Sequence, residues 1–517
     1  AAVDAGAGSI MSSFNEIDGI PATANKWLMT DVLRKEWGFK GFVVTDYTSI
    51  NEMIDHGLGD LKTVSALALK AGIDMDMVGE GFLTTLKKSL QEGKVTQKEI
   101  DDACRRVLEA KYKLGLFDDP FRYCDLNRAK TEISSADKKA VARELAIHSQ
   151  VLLKNDKNIL PLKKSGTIAL VGPMADNKDM LGTWAVGGIP ANAVPIRAGI
   201  KNVVGNAVNV IYAKGANITD DTVLARNAQV FGKTFEMGDP QQQLNEAIQA
   251  ANQSDVVVAV LGESSEMTGE AASRSDISLP QSQRNLLEAL VKTGKPVVVV
   301  LMTGRPLAIA RESEIAGAIL LTWFGGDETG NAVADVLFGN YNPSGKLTMT
   351  FPRNVGQVPI YYSHKKTGRP QGNGPTQKFR SNYLDVSNDP LYSFGHGLGY
   401  SNFSYSDVKL ARNKMSKGQT MKASVTVTNS GIYDGEEVVQ LYINDPVASV
   451  TQPVKKLVNF QKINLKKGES REISFNITEE ELKFYNNDLK RIAEPGEFHV
   501  FIGTSSSVNK KATFVLQ

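Results

Sequence analysis

The chain has 517 residues, 42% of them hydrophobic and 22% charged, with a formal net charge of +2. That is ordinary soluble material in an amount sufficient for roughly two to four domains. So even a balance offers no basic field for nucleic acid. No apolar run reaches the roughly 20 residues of a membrane span, and the two cysteines, Cys104 and Cys124, support neither a disulfide framework nor a cysteine metal site.

From the N-terminus, residues 9–14 read as a buried strand. Residues 27–37 read as an amphipathic helix with Trp27, Leu28, Val32, Leu33 and Trp37 on one face, stopped by Gly38. Residues 41–47, Gly-Phe-Val-Val-Thr-Asp-Tyr, form a second buried strand, 73–77 a third, and helices follow at 84–91 and 98–114. Strand, helix, strand in that order predicts right-handed parallel crossovers. A complete eightfold barrel needs roughly 250 residues, and about three strands are found before the polar stretch that starts near residue 118. We therefore expect these residues to be the rear of a longer chain, with a barrel completed by a preceding or separate segment.

A helix at 137–150 leads to a region in which strands at 167–171, 208–213, 255–261, 296–302 and 316–323 alternate with helices at 244–252, 283–292 and 328–338. This pattern predicts a doubly wound parallel sheet of about five or six strands. A Pro-, Gly-, Tyr- and Asn-rich passage follows, too long for a plain loop. The last part alternates as an all-β domain does: Met421, Ala423, Val425 and Val427; Val439, Leu441 and Ile443; Ile473, Phe475 and Ile477; Phe498, Val500 and Ile502. An immunoglobulin- or fibronectin-like sandwich is expected there. The expected division is residues 1–125 for the rear of the barrel, 126–150 for a linker helix, 151–360 for the α/β/α sandwich, 361–395 for a connecting segment and 396–517 for the β-sandwich.

Acidic residues at strand ends are the candidates for chemistry. Asp46 closes an apolar strand where a barrel rim would form a pocket, although spacing alone also allows a helix cap. In the sheet region, Glu263, Glu266 and Glu270 fall within eight residues of a Gly- and Ser-rich loop after the 255–261 strand, and spacing does not separate them. No GxGxxG or GxxxxGK[ST] accompanies that loop, which argues against a nucleotide site. The five histidines, His56, His148, His364, His396 and His499, are scattered singly and read as structural or surface residues.

Five motifs in order carry a resemblance over essentially the whole chain: Gly41-Phe-Val-Val-Thr-Asp46-Tyr47; Gly262-Glu-Ser-Ser-Glu-Met-Thr-Gly-Glu270-Ala-Ala-Ser-Arg274 with Leu279-Pro-Gln-Ser-Gln283; Lys295-Pro-Val-Val-Val-Val-Leu-Met-Thr-Gly-Arg-Pro306; Asp335-Val-Leu-Phe-Gly-Asn-Tyr-Asn-Pro-Ser-Gly-Lys346; and Phe394-Gly-His-Gly-Leu-Gly-Tyr400. The sequence resembles glycoside hydrolase family 3, in particular its bacterial periplasmic broad-specificity β-glucosidases. The resemblance implies a partial (β/α)8 barrel, a doubly wound α/β/α sandwich and a fibronectin type III-like β-sandwich. It also implies a retaining exo-acting β-glucosidase with Asp46 as nucleophile, Glu270 as acid/base (Glu263 in reserve), and Met11 and Tyr47 lining the sugar subsite.

In such a mechanism two carboxyl groups roughly 5 to 5.5 Å apart form and then hydrolyse a glycosyl-enzyme. Many family members place a tyrosine at the position of Phe14 to contact the nucleophile, and another group must replace it here. Trp184, Trp323 and Tyr341 are weighed as an acceptor platform against core packing, the commoner role of such aromatics. No cofactor or metal is called for. The expected substrate is an oligosaccharide or aryl β-glycoside, with no nucleic acid or membrane partner. A homodimer mate and a separate N-terminal segment are the protein partners to look for, and the implied location is periplasmic or secreted. A β-xylosidase of the same family and a non-catalytic truncated fragment are the alternatives.

Overall fold

The structure, a computed structural model, describes residues 1–228, 235–371 and 377–517. Residues 372–376 of the expected connecting segment thus lie outside the described residues. The chain divides into two compact units, Ala1–Ile133 and Ser134–Gln517.

In the first unit, strands β1 (Ser9–Ser12) and β2 (Phe42–Thr45) pair in parallel, with Met11 opposite Val44 and Ser12 opposite Thr45. Helices Leu61–Ala71, Gly81–Gln91 and Gln97–Lys113 follow. The last of these starts at a capping box, in which Thr96 and Glu99 satisfy each other's backbone N–H groups. Two expectations are corrected. Residues 73–77 do not form a strand: a single parallel bridge joins Met75 to Val44. The buried Asp74 carboxylate takes the Val43 N–H at 2.8 Å in place of a ladder carbonyl, and is held by Arg34 and by Arg106 at 2.6 Å. The helix at Trp27–Glu36 is wound as a π-helix, with the Trp37 N–H reaching back five residues to Val32. That wider turn puts Met29 and Leu33 in the core, while Trp27 and Trp37 stand exposed.

The second unit opens with helix Ala136–Ser149 and a six-stranded sheet. Its strands are β3 (Val151–Asn155), β4 (Gly166–Val171), β5 (Val208–Ala213), β6 (Val256–Gly262), β7 (Val297–Met302) and β8 (Ala318–Leu321), in the spatial order β3-β8-β7-β6-β4-β5. Strand β3, absent from the sequence expectation, is antiparallel to β8 at the edge, and the other five strands are parallel. Val257, Val299, Leu301 and Ile319 pack into the core on one face of the sheet, and Val258, Val260, Val300 and Leu320 into the core on the other. Being covered on both sides explains why these strands read as unbroken apolar runs.

The sandwich that follows is built on β9 (Met421–Asn429), β10 (Gly435–Asn444), β11 (Lys456–Leu465), β12 (Ser470–Ile477), β13 (Gly496–Gly503) and β14 (Lys511–Leu516). Strands β9 and β12 pair in one sheet, and β14-β13-β10-β11 run in sequence in the other. Every residue of the four predicted alternating sets is buried.

One of the long motifs, residues 335–346, ties both the Ala136–Ser149 helix and the sandwich to the α/β layer. Asp335 binds Arg143 of the Ala136–Ser149 helix, and Lys346 reaches Glu437 of β10 at 3.2 Å. Tyr341 bonds both His148 and Glu436, and Trp323 packs against Phe351. These two candidate platform aromatics therefore serve packing, whereas Trp184 is exposed. His396, buried with its Nε2 on the Leu153 carbonyl at 3.0 Å, has its pKa pushed below the usual imidazole range by desolvation. Cys104 and Cys124 are both free and exposed.

Candidate active site

Asp46 follows β2 directly, at the carboxyl end of the parallel pair, and its backbone is fixed on both sides. Its N–H donates to the Ser12 carbonyl at 3.2 Å, and its own carbonyl accepts the Ser49 N–H at 3.1 Å. The half-buried carboxylate accepts the Tyr47 N–H at 2.7 Å through Oδ1. The helix beyond it, Ser49–Asp55, has Thr48 at its N-cap, so Asp46 is not that helix's capping residue. Phe14 offers no hydroxyl; among the described residues the Tyr47 N–H is the donor bonded to this carboxylate.

Beneath Asp46 a buried relay of hydroxyls, Ser12 to Thr23 at 2.9 Å and Thr23 to Ser49 at 2.7 Å, ties β1 to the helix start. Thr45, also buried, accepts the Met77 N–H at 2.9 Å. Met11 and Tyr47 stand exposed at the same end of the strand pair. The arrangement presents an acid at a strand terminus, with one thioether and one aromatic ring exposed at the same end.

In the second unit the chain order across the sheet reverses between β4 and β6. The crevice outside the carboxyl ends of two such strands is where open α/β sheets bind ligands. Residues 263–274, after β6, occupy that place. Gly262, the last residue of β6, has φ of 149°, and a Cβ there would sit 1.7 Å from the Met302 carbonyl oxygen. Only glycine lets the strand leave the sheet at this point. Gln283 then locks the exit by accepting the Gly262 N–H and donating to its carbonyl, each at 2.8 Å.

The three glutamates, equivalent by spacing, separate in space. Glu263 is wholly buried. Its Oε1 lies 2.8 Å from Arg274 and 3.3 Å from Arg305, and its Oε2 accepts the Thr303 hydroxyl at 2.7 Å. A carboxylate so enclosed by cations has a structural role in this geometry. Glu266 is buried as well. Glu270, at the tip, is exposed. The segment after β4 braces the near side of the loop. Asp179 accepts both the N–H and the hydroxyl of Ser265, and the Thr183 hydroxyl donates to the Ser265 and Thr268 carbonyls. On the far side Arg305 donates through Nη2 to the carbonyls of Met267 and, at 2.8 Å, Ala272.

Sequence reading assigned no role to Asp179, Thr183 or Arg305. The only signal was that Arg305 belongs to the Thr-Gly-Arg-Pro end of β7. Because Glu263 is buried among cations, removing one of them should be costly. Arg274→Ala is expected to destabilise the second unit by about 3 kcal/mol, read as a shift in the denaturant midpoint. A change below about 0.5 kcal/mol, ordinary for a surface substitution, would show that this pair does not hold the loop.

Over 523 aligned residues the chain is 49% identical to a protein of Salmonella typhimurium named periplasmic beta-glucosidase, covering 100% of this chain and 68% of that protein. The chain belongs to glycosyl hydrolase family 3. Residues 1–110 match the family 3 N terminal domain, residues 150–400 the family 3 C-terminal domain, and residues 437–506 a fibronectin type III-like domain. A protein of Formosa agariphila named beta-xylosidase is 40% identical over 529 residues, covering 99% of this chain and 69% of that one. Among solved structures, a mutant β-glucosidase of Listeria innocua in complex with laminaribiose superimposes with a TM-score of 0.90 at 37% identity, over 100% of this chain and 68% of that one. No helix among the described residues is long and apolar enough to cross a membrane.

Proposed function

We propose that this family 3 protein is a retaining, exo-acting β-glucosidase that removes terminal non-reducing β-D-glucosyl units from oligosaccharides or aryl β-glucosides. The observation that carries the reading is Asp46: an oriented, half-buried carboxylate at the carboxyl end of a parallel strand, within the residues that match the family 3 N terminal domain.

In the proposed route Asp46 attacks the anomeric carbon while Glu270 gives its proton to the departing glycosidic oxygen, forming an α-linked glycosyl ester on Asp46. Glu270, now a carboxylate, takes a proton from water. The water oxygen then attacks the anomeric carbon from the β face, releasing β-glucose and free Asp46. Met11 and Tyr47 line the sugar subsite, and no cofactor or metal is needed. The exposed position of Glu270 on a braced loop fits a group that must meet solvent and leaving group in turn. A periplasmic or secreted location is proposed on the strength of the Salmonella relative's name.

The test is proton NMR of the first-formed sugar, together with kcat/KM for matched aryl glucosides and xylosides. β-Glucose appearing before mutarotation, with the glucoside preferred, is expected. An α-anomer as first product would contradict retention. Preference for the xyloside would favour the second reading, a β-xylosidase, which the 40% identical Formosa relative suggests.

A further inference from the structure

The loop that presents Glu270 is held from beneath by one side chain that the chemistry above leaves unused. Arg305 leaves the end of β7 and reaches under the loop, where its Nη2 donates to the carbonyls of Met267 and Ala272. Those two residues lie three positions before and two positions after Glu270, so a single guanidinium closes the loop across its base. Its Nε lies 3.3 Å from Glu263, a carboxylate with no exposed surface, and this ties the guanidinium to the strand end. The Thr303 hydroxyl completes the frame, donating to Glu263 and accepting the Arg305 N–H at 3.2 Å.

The clamp has work to do. Gly269 sits at φ of 101° and Ala271 at φ of 57°. Glu270 is thus flanked on both sides by left-handed backbone, and for the alanine that conformation costs about 1 kcal/mol. Such a conformation persists only where the surroundings enforce it, and the bond from Arg305 to the Ala272 carbonyl is the enforcing contact adjacent to it.

We propose that Arg305 is a positioning residue for the acid/base step: the Glu263–Arg305 pair fixes the loop so that Glu270 meets the leaving-group oxygen. This inference rests on the assignment of Glu270 above. Loss of the clamp should leave attack by Asp46 intact and weaken proton delivery. That predicts a signature that general loss of structure does not produce, because a leaving group that departs without protonation does not need Glu270.

The experiment compares kcat/KM of the full chain on 2,4-dinitrophenyl β-glucoside, whose phenolate leaves unaided, and on 4-methylphenyl β-glucoside, whose phenolate needs a proton. It is run for wild type, Arg305→Lys, Arg305→Gln and Glu270→Ala. For Arg305→Gln we expect a loss of about 10- to 100-fold on the methylphenyl substrate, up to the lower end of what general acid catalysis supplies, with less than about threefold on the dinitrophenyl substrate. Arg305→Lys should lie between this variant and wild type, because it keeps the charge beside Glu263 but not the fork that grips two carbonyls.

Parallel loss on both substrates in both Arg305 variants, whether through unfolding or otherwise, would make Arg305 merely structural and overturn the inference. No loss on either substrate would overturn it as well. Glu270→Ala separates the two layers of the argument. If it shows leaving-group selectivity and the Arg305 variants do not, only the clamp fails. If Glu270→Ala itself shows none, the acid/base assignment fails and the clamp with it.

Discussion

Asp46→Ala should reduce turnover of every β-glucoside by at least about 10⁴-fold, because removal of a covalent nucleophile leaves only binding and the remaining electrostatics. The two acids of the adjoining segment are engaged elsewhere: Asp74 is buried between Arg34 and Arg106. Asp76 accepts the Phe82 N–H at 3.1 Å. The fold should survive, since the side chain of Asp46 is engaged with one backbone N–H, a contact worth about 1 kcal/mol. Circular dichroism and an unchanged melting profile check that point. Azide sharpens the assignment. In the cavity left by the carboxylate it should attack in a single displacement from the face opposite the leaving group, giving the α-glucosyl azide. A loss of only a few-fold, or no azide product, would refute the nucleophile.

Glu270→Ala should behave differently, and the difference is diagnostic. Loss of the proton donor should cost about 10²- to 10⁴-fold on substrates with poor leaving groups and little in kcat/KM on the dinitrophenyl glucoside. The second step then lacks its base, so the glycosyl-enzyme should accumulate, giving a burst of dinitrophenolate followed by slow turnover with a lowered KM. Azide, which needs no deprotonation, should accelerate that slow phase and intercept the α-linked ester from the β face, giving the β-glucosyl azide. The two variants thus yield opposite anomers from one reagent. Equal losses on both aryl glucosides, or an α-azide from this variant, would remove Glu270 from the role. Glu263→Gln serves as the contrast: its effect should appear first in stability, because its carboxylate neutralises two arginines rather than meeting solvent.

Much of this was legible in the sequence where burial is two-sided or strictly alternating. The run from Phe42 to Thr45 is apolar up to its last residue, and the structure places it as a strand ending at Asp46. The odd-numbered residues from Met421 to Val427 are all buried, as their alternation requires. What failed to show was decided by partners distant in sequence. Strands β3 and β11 are edge strands, and β11 carries a burial pattern too irregular to announce itself. The 73–77 segment is apolar enough for a strand, but Asp74 takes the place of a ladder carbonyl, held by arginines 40 and 32 residues away. The π-winding of Trp27–Glu36 rests on backbone bonds with no side-chain signature. Spacing could not rank Glu263, Glu266 and Glu270, because two of the three partners that enclose Glu263, Thr303 and Arg305, arrive about 40 positions later beyond the end of another strand.

The central claim is that Asp46 forms a covalent bond to the sugar. The most direct measurement is to incubate the protein with 2-deoxy-2-fluoro-β-glucosyl fluoride, whose fluorine slows both steps while the fluoride leaving group restores the first, and to map the label by peptide mass spectrometry. The account predicts one sugar per chain, on the peptide spanning Gly41 to Tyr47, with fragment ions assigning it to Asp46. A label on any other residue, or full turnover inhibition without covalent mass, would contradict it.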